Sequence, residues 1–133
     1  MVIGKGLIEN RVLAIIPARS GSKGIIGKNM INIMGKPLIQ YSIESILDSK
    51  LISKSIVSTD SKEIGEFCTS KGIDFPFLRP KKFSNDKAKS IDVVLHALNE
   101  LEKHNEQFDY VLLVQPTTPF RSDGIIDKAI NQI

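Results

Sequence analysis

Tryptophan is missing from this 133-residue sequence, cysteine occurs once, and aromatic residues make up only 6% of it. So few rings argue against a base-stacking platform for single-stranded nucleic acid. The single cysteine, Cys68, excludes an intrachain disulfide and a CxxC metal cluster. A reducing, cytosolic compartment is then the default. Long apolar runs are also missing. None approaches the length that crosses a bilayer, and Met1 to Asn10 lacks the basic start and apolar stretch of a secretory signal. The excess of one charge sign is slight, a formal +3, with the cations scattered except in one loop, so neither nucleic acid nor a membrane is expected as a partner. What is present, 41% hydrophobic and 25% charged residues in a length suited to one domain, fits a soluble cytoplasmic protein.

Two kinds of segment alternate. The short apolar runs Val12 to Ile16, Ser55 to Thr59, Ile73 to Leu78 and Tyr110 to Gln115 read as buried parallel strands. Between them lie segments with helical spacing. Ile39, Ile43, Ile46 and Leu47 form one stripe behind Pro37, which a first helical turn tolerates. Ile64, Phe67 and Cys68 form another, with Asp60 or Ser61 as its cap; Asp60, at a strand end, reads as a helix cap first and as a crevice residue second. The longest stripe is Ile91, Val94, Leu95, Leu98 and Leu101, beginning near Ser90; a last one starts after Ser122 with Ile126, Ala129, Ile130 and Ile133. Strands alternating with helices predict an α/β fold with a mainly parallel sheet. The sheet order is not readable from the sequence alone. If the first strand is central, with the second and third to one side and the fourth on its other flank, the loops following the first and fourth strands face each other across one crevice, where such folds bind ligands.

The first of those loops carries the strongest chemical signal. Directly after a strand, Arg19, Gly21, Ser22, Lys23, Gly24, Gly27, Lys28 and Asn29 put three glycines and three cations within a dozen residues. Glycine lets backbone N–H groups approach an anion closely, and Arg19, Lys23 and Lys28 supply the counter-charge that a triphosphate needs. The spacing is neither a Walker P-loop, since Ser22 stands at a required glycine and Asn29 follows Lys28, nor the Gly-x-Gly-x-x-Gly dinucleotide fingerprint. A glycine-rich surface turn with solvated lysines is the plain alternative. His96 and His104 read as surface residues, and Cys68 as packing on an apolar helix face.

From Ala14 to Gly24, followed by Lys28-Asn29, the sequence resembles the signature of CMP-N-acylneuraminate synthetases (acylneuraminate cytidylyltransferases). Gly35-Lys-Pro-Leu-Ile, Ile56-Val-Ser-Thr-Asp60, Leu78-Arg79-Pro80, the segment Ser84 to Ser90, and Gln115-Pro-Thr-Thr-Pro-Phe-Arg121 match in order, so the resemblance runs from Val12 onward. It implies a Rossmann-like three-layer nucleotidyltransferase fold, with residues 1–133 as the N-terminal CTP-binding part of a cytidylyltransferase domain, truncated after the fourth strand and its following helix. The implied reaction transfers CMP from CTP to a nonulosonic, sialic-acid-like sugar with release of pyrophosphate, an activation step for lipopolysaccharide or capsule sugars. By the same resemblance Arg19 and Lys28 hold the triphosphate as catalytic residues, and Ser22 and Asn29 support the loop and nucleotide. Arg79 reads cytosine, Ala88 and Ser90 add base contacts, and Gln115, Pro116 and Thr117 face the acid sugar.

The sequence departs from the family pattern at Ile26, where proline is common before the Lys-Asn pair. The family also continues for about a hundred further residues, which carry the Mg²⁺-binding aspartates and the element through which it pairs as a homodimer. The final helix ends at Ile133 with no C-terminal glycine or following strand, and the strand Tyr110 to Gln115 is expected to leave one edge open. The expectation is therefore a truncated chain, a split gene product or an expression fragment. Two other readings stand beside turnover: a nucleotide-binding fragment without it, and a related enzyme such as a deoxy-octulosonate cytidylyltransferase.

Overall fold

The computed structural model describes residues 2–4, 11–22, 25–26, 28–85, 87–116 and 124–132. In chain order its strands are β1 (Val2–Gly4), β2 (Val12–Pro17), β3 (Gly21–Ser22), β4 (Ile25–Ile26), β5 (Asn32–Ile33), β6 (Lys36–Pro37), β7 (Lys54–Ser58) and β8 (Tyr110–Leu113). The helices are α1 (Leu38–Leu47), α2 (Lys62–Ser70), α3 (Ser90–Glu102) and α4 (Ile125–Asn131). The main sheet has the order β1-β8-β2-β7, with β2 parallel to both β7 and β8.

β2 is the axis of the molecule because both its faces are covered. Ala14 and Ile16 point into a cluster with Ile39, Ile43, Ile64 and Ile126, from α1, α2 and α4. Leu13 and Ile15 point the other way, against Val94, Ala97 and Leu101 of α3. That is the three-layer α/β arrangement, and it explains why the strand sequences show no polar alternation. Val12 through Ile16 are at most 1% exposed.

Two sequence expectations about the sheet are corrected. The run Ile73 to Leu78 lies beside β7 as two isolated parallel bridges, Ile56 to Asp74 and Thr59 to Leu78, instead of a continuous strand. Pro76, which has no N–H, stands between the bridges and interrupts the ladder. The expected open edge of β8 is instead covered by β1, which pairs antiparallel with it, Val2 opposite Leu112 and Gly4 opposite Tyr110.

The helices start close to where their stripes begin. Pro37 stands at the N-cap of α1 and Ser61 caps α2, its hydroxyl accepting from the Ile64 N–H at 3.3 Å. Gly72, at φ +98, ends α2 in the left-handed conformation that glycine adopts freely, letting the Ile73 N–H return to the Cys68 carbonyl at 3.0 Å. On α3 the buried residues are Val93, Val94, Ala97 and Leu101, whereas Ile91 and Leu95 of the expected stripe face outward. The apolar pattern there is wider than the surface the sheet covers. The α4 stripe begins at Ile126, with Gly124 at the N-cap; Ser122 and Ile133 lie outside the described residues. Among the described residues no helix is long and apolar enough to cross a membrane.

Candidate functional site

Because β2, β7 and β8 run parallel, their C-terminal ends share one edge of the sheet. β7 lies on one side of β2 and β8 on the other, so the strand order reverses there, the position at which open α/β sheets form a crevice. A cleft of about 180 Å³ opens at that edge, lined by Pro17, Arg19, Arg79, Asn85, Ala88, Lys89, Ser90, Val93 and Gln115. Five residues singled out in the sequence, Arg19, Arg79, Ala88, Ser90 and Gln115, thus meet around one space although up to 96 positions separate them in the chain. A larger cavity of about 360 Å³ lies at the other end of the strands. Its charges neutralise each other, with Lys54 paired to Glu106 at 2.9 Å and to Asp74 at 3.6 Å, which leaves little field for a charged ligand.

The loop after β2 is fixed residue by residue. Ala18 donates its N–H to the Ser58 carbonyl at 2.9 Å. Asn29, only 8% exposed, sends its side-chain amide to the Arg19 carbonyl at 3.1 Å. Ser20 donates its N–H to Asp60 Oδ1 at 2.7 Å and its hydroxyl to Asp60 Oδ2 at 2.9 Å. Asp60 therefore holds the loop after β2, and the expected helix cap passes to Ser61. A carboxylate at a strand end can do either task, and sequence spacing alone does not separate them. Gly21 and Ser22 pair antiparallel with Ile26 and Ile25, and the half-buried Lys28 opens a 3₁₀ turn through Met30. Lys28 is not among the cleft-lining residues. Lys23, Gly24 and Gly27 lie outside the described residues.

Arg79 is the most deeply engaged of the candidates. At 4% exposure it donates from Nε to Ser58 Oγ at 3.0 Å, from Nη2 to the Ser58 carbonyl at 2.6 Å, and from Nη1 to the Phe83 carbonyl at 3.0 Å. Three of the five guanidinium N–H groups thus bind protein, and two remain. Burial pushes the guanidinium down to about 10; the Asp60 carboxylate pulls the other way, and Arg19 adds to the fall. It stays charged at neutral pH.

The wall beyond Arg79 is set by a turn. Asn85 Oδ1 accepts from the N–H groups of Lys87 and Ala88 at 2.9 and 3.1 Å, which presents Ala88 and then Ser90 at the start of α3. Gln115 is exposed on the opposite wall, while its carbonyl accepts from the buried Ser42 hydroxyl at 3.4 Å. Pro116 is buried and does not line the cleft, and Thr117 lies outside the described residues. Pro17, Asn85, Lys89 and Val93 were not foreseen as cleft residues; Pro17 falls within the Ala14 to Gly24 stretch, Asn85 and Lys89 fall within the Ser84 to Ser90 motif and Val93 just after it, without having been singled out.

His104 is exposed as expected, but His96 is not a surface residue. Its side chain is 9% exposed, with its ring edge-on to Phe77 at 4.8 Å and tilted against Phe83 at 5.4 Å. Cys68 is fully buried, and burial pushes its thiol up to about 12. Among the described residues no group of three or more His, Cys, Asp or Glu side chains is placed to hold a metal ion.

Residues 13–133 match the cytidylyltransferase family model. The chain is 42% identical over 123 residues to the N-acylneuraminate cytidylyltransferase of Escherichia coli O18:K1:H7, covering 92% of this chain and 28% of that protein. It is 41% identical over 120 residues to the CMP-N,N'-diacetyllegionaminic acid synthase of Legionella pneumophila, covering 90% of this chain and 52% of that protein. In fold it is similar to a CMP:2-keto-3-deoxy-manno-octonic acid synthetase solved in complex with CTP, with TM-score 0.75 and 23% identity over 92% of this chain and 47% of that one. The chain thus spans about half, or less, of the length of these proteins. The matched region takes in the glycine loop, the Arg79 wall and the Gln115 loop together, and the chain belongs to the cytidylyltransferase family.

Proposed function

We propose that this chain forms the CTP-binding side of a cytoplasmic cytidylyltransferase that transfers CMP to a nonulosonic, sialic-acid-like sugar. The observation that carries the reading is the gathering of Arg19, Arg79, Ala88, Ser90 and Gln115 around one cleft at the switch point of the sheet. A cleft of about 180 Å³ is smaller than the ~300 Å³ at which small-molecule pockets begin, so it suits the base and ribose. The triphosphate then extends toward the glycine loop and Lys28. In the reaction the anomeric hydroxyl oxygen of the sugar bonds to the α-phosphorus as its proton departs. The bond from that phosphorus to the bridging oxygen breaks, and pyrophosphate leaves. Such transfer depends mainly on positioning and on neutralising charge at the phosphoryl oxygens, which is the work assigned to Arg19 and Lys28.

Arg79 has two N–H groups left for the base, while Ala88 and Ser90 bound the same wall; Ser22 and Asn29 support the loop. Gln115, Pro116 and Thr117 belong to the sugar side. Magnesium is part of the proposal, with ligands from outside the described residues, as is pairing of two subunits. The similarity to an N-acylneuraminate cytidylyltransferase and to a CMP-N,N'-diacetyllegionaminic acid synthase supports a nine-carbon acid sugar over a deoxy-octulosonate. Because the chain spans only 28% and 52% of those relatives, a second reading is CTP binding without turnover.

Incubating the chain with CTP, Mg²⁺ and a panel of acid sugars, and following pyrophosphate, separates the two. Release supports the enzyme; CTP binding without release supports the binding reading. Arg19→Ala or Lys28→Ala weakens CTP binding about tenfold or more in either case. Unchanged affinity in both variants defeats the assignment of the loop.

A further inference from the structure

We propose that Asp60 is a positioning residue for the phosphate loop: from the end of β7 its carboxylate fixes Ser20, and thereby sets where Arg19 stands. The inference rests on the reading of that loop as part of a CTP site.

Both carboxylate oxygens are committed to one residue 40 positions away, Oδ1 to the Ser20 N–H at 2.7 Å and Oδ2 to its hydroxyl at 2.9 Å. Bonds to an ionised acceptor are about twice as strong as neutral ones. Local structure does not require Asp60 there, because Ser61 caps the following helix. Arg19 is thus bracketed: the Ala18 N–H is held by Ser58, the Arg19 carbonyl by Asn29 and Ser20 by Asp60. An acid beside an anion-binding loop is at first sight unfavourable. Here it answers a second need, since Arg19 and Arg79 bring two guanidinium groups to one cleft, and the Asp60 charge offsets their mutual repulsion before any anion arrives. A loop and its cations held in place beforehand lose less freedom when the ligand binds.

The test compares calorimetric binding of CTP and of cytidine, which has no phosphate, to the full chain and to Asp60→Ala, Asp60→Asn, Ser20→Ala and the Ser20→Ala/Asp60→Ala double variant. Asp60→Ala is expected to weaken CTP about tenfold and leave cytidine within about twofold. Asp60→Asn restores part of the loss, since its amide can accept from the N–H and donate to the hydroxyl while lacking the charge. The double variant should be no weaker than Asp60→Ala alone, because both changes break the same clamp. Equal losses for CTP and cytidine would reduce Asp60 to a general structural role and overturn the inference. So would wild-type CTP affinity in Asp60→Ala, or fully additive losses in the double variant. If instead the Arg19 and Lys28 variants bind CTP normally, or the wild-type chain does not bind it, the CTP reading fails and this inference with it.

Discussion

Arg79 and Ser58 are joined twice, by Nε to the serine hydroxyl at 3.0 Å and by Nη2 to its carbonyl at 2.6 Å. The same carbonyl accepts the Ala18 N–H at 2.9 Å, so one serine ties the cleft wall to the base of the glycine loop. A lysine at 79 keeps the charge but cannot offer a planar fork to the hydroxyl, the carbonyl and the Phe83 carbonyl together. Arg79→Lys is therefore expected to destabilise the fold by about 3 kcal/mol, from two or more lost charged hydrogen bonds. Urea denaturation measures this. A loss within ~0.5 kcal/mol, typical of an exposed site, would show that the fork carries little.

Gly65→Ala should also destabilise, although alanine is the better helix former. The propensity gain inside α2 is about 1 kcal/mol. A Cβ at this position lands against the ring carbons of Phe75, which packs on the core from outside α2. Overpacking costs roughly 1–3 kcal/mol, enough to reverse the sign, and a lower Tm in Gly65→Ala is the expected result. An increase would mean that Phe75 swings aside without penalty.

Burial lowers the pKa of His96 below its ordinary value; Glu100 opposes this, while Arg79, Lys103 and Lys82 reinforce it. The folded state then favours neutral imidazole. Its stability contribution is fully present above the unfolded value near 6.5 and is lost as pH falls through the lower folded value. Between pH 7 and pH 5 the wild type should lose more Tm than His96→Phe, which keeps an aromatic ring against Phe77 and Phe83 but does not titrate. Parallel Tm curves for the two proteins would exclude His96 as an acid-sensitive group.

How much of this was legible in the sequence depended on whether the cause was local. The apolar runs of β2, β7 and β8 and the start of α3 could be read because burial on two faces and helical periodicity leave a pattern in neighbouring residues. The gathering of Arg19, Arg79 and Gln115 was expected only through the family resemblance and an assumed strand order; parallel strands do deliver their following loops to one edge, but the order itself leaves no local pattern. Val2–Gly4 could not be read as a strand, because three residues carry no period and the partner is more than a hundred positions away. Asp60 was misread because its partner, Ser20, is fixed by the sheet register and not by spacing. On α3, Ile91 and Leu95 share the apolar character of Val94, so only the shape of the sheet beneath decides which are covered.

Cys68 should be silent toward thiol reagents in the native protein. It is fully buried, its thiol is pushed up to about 12, and the thiolate is the reactive form. An aromatic disulfide reagent at pH 8 is expected to react within the mixing time only after denaturant is added. Rapid native labelling would reveal frequent opening of the layer formed by α1 and α2.

The pairing of Val2–Gly4 with β8 bears on how the protein is handled. The family match begins at residue 13, so trimming the chain to that boundary removes β1 while leaving the apolar strand Tyr110–Leu113 intact. Its outer row of backbone N–H and C=O groups would then be offered to any other chain in solution. Preparations cut to the start of the family match should form concentration-dependent oligomers by edge-to-edge association, whereas those retaining the first dozen residues carry their own shield.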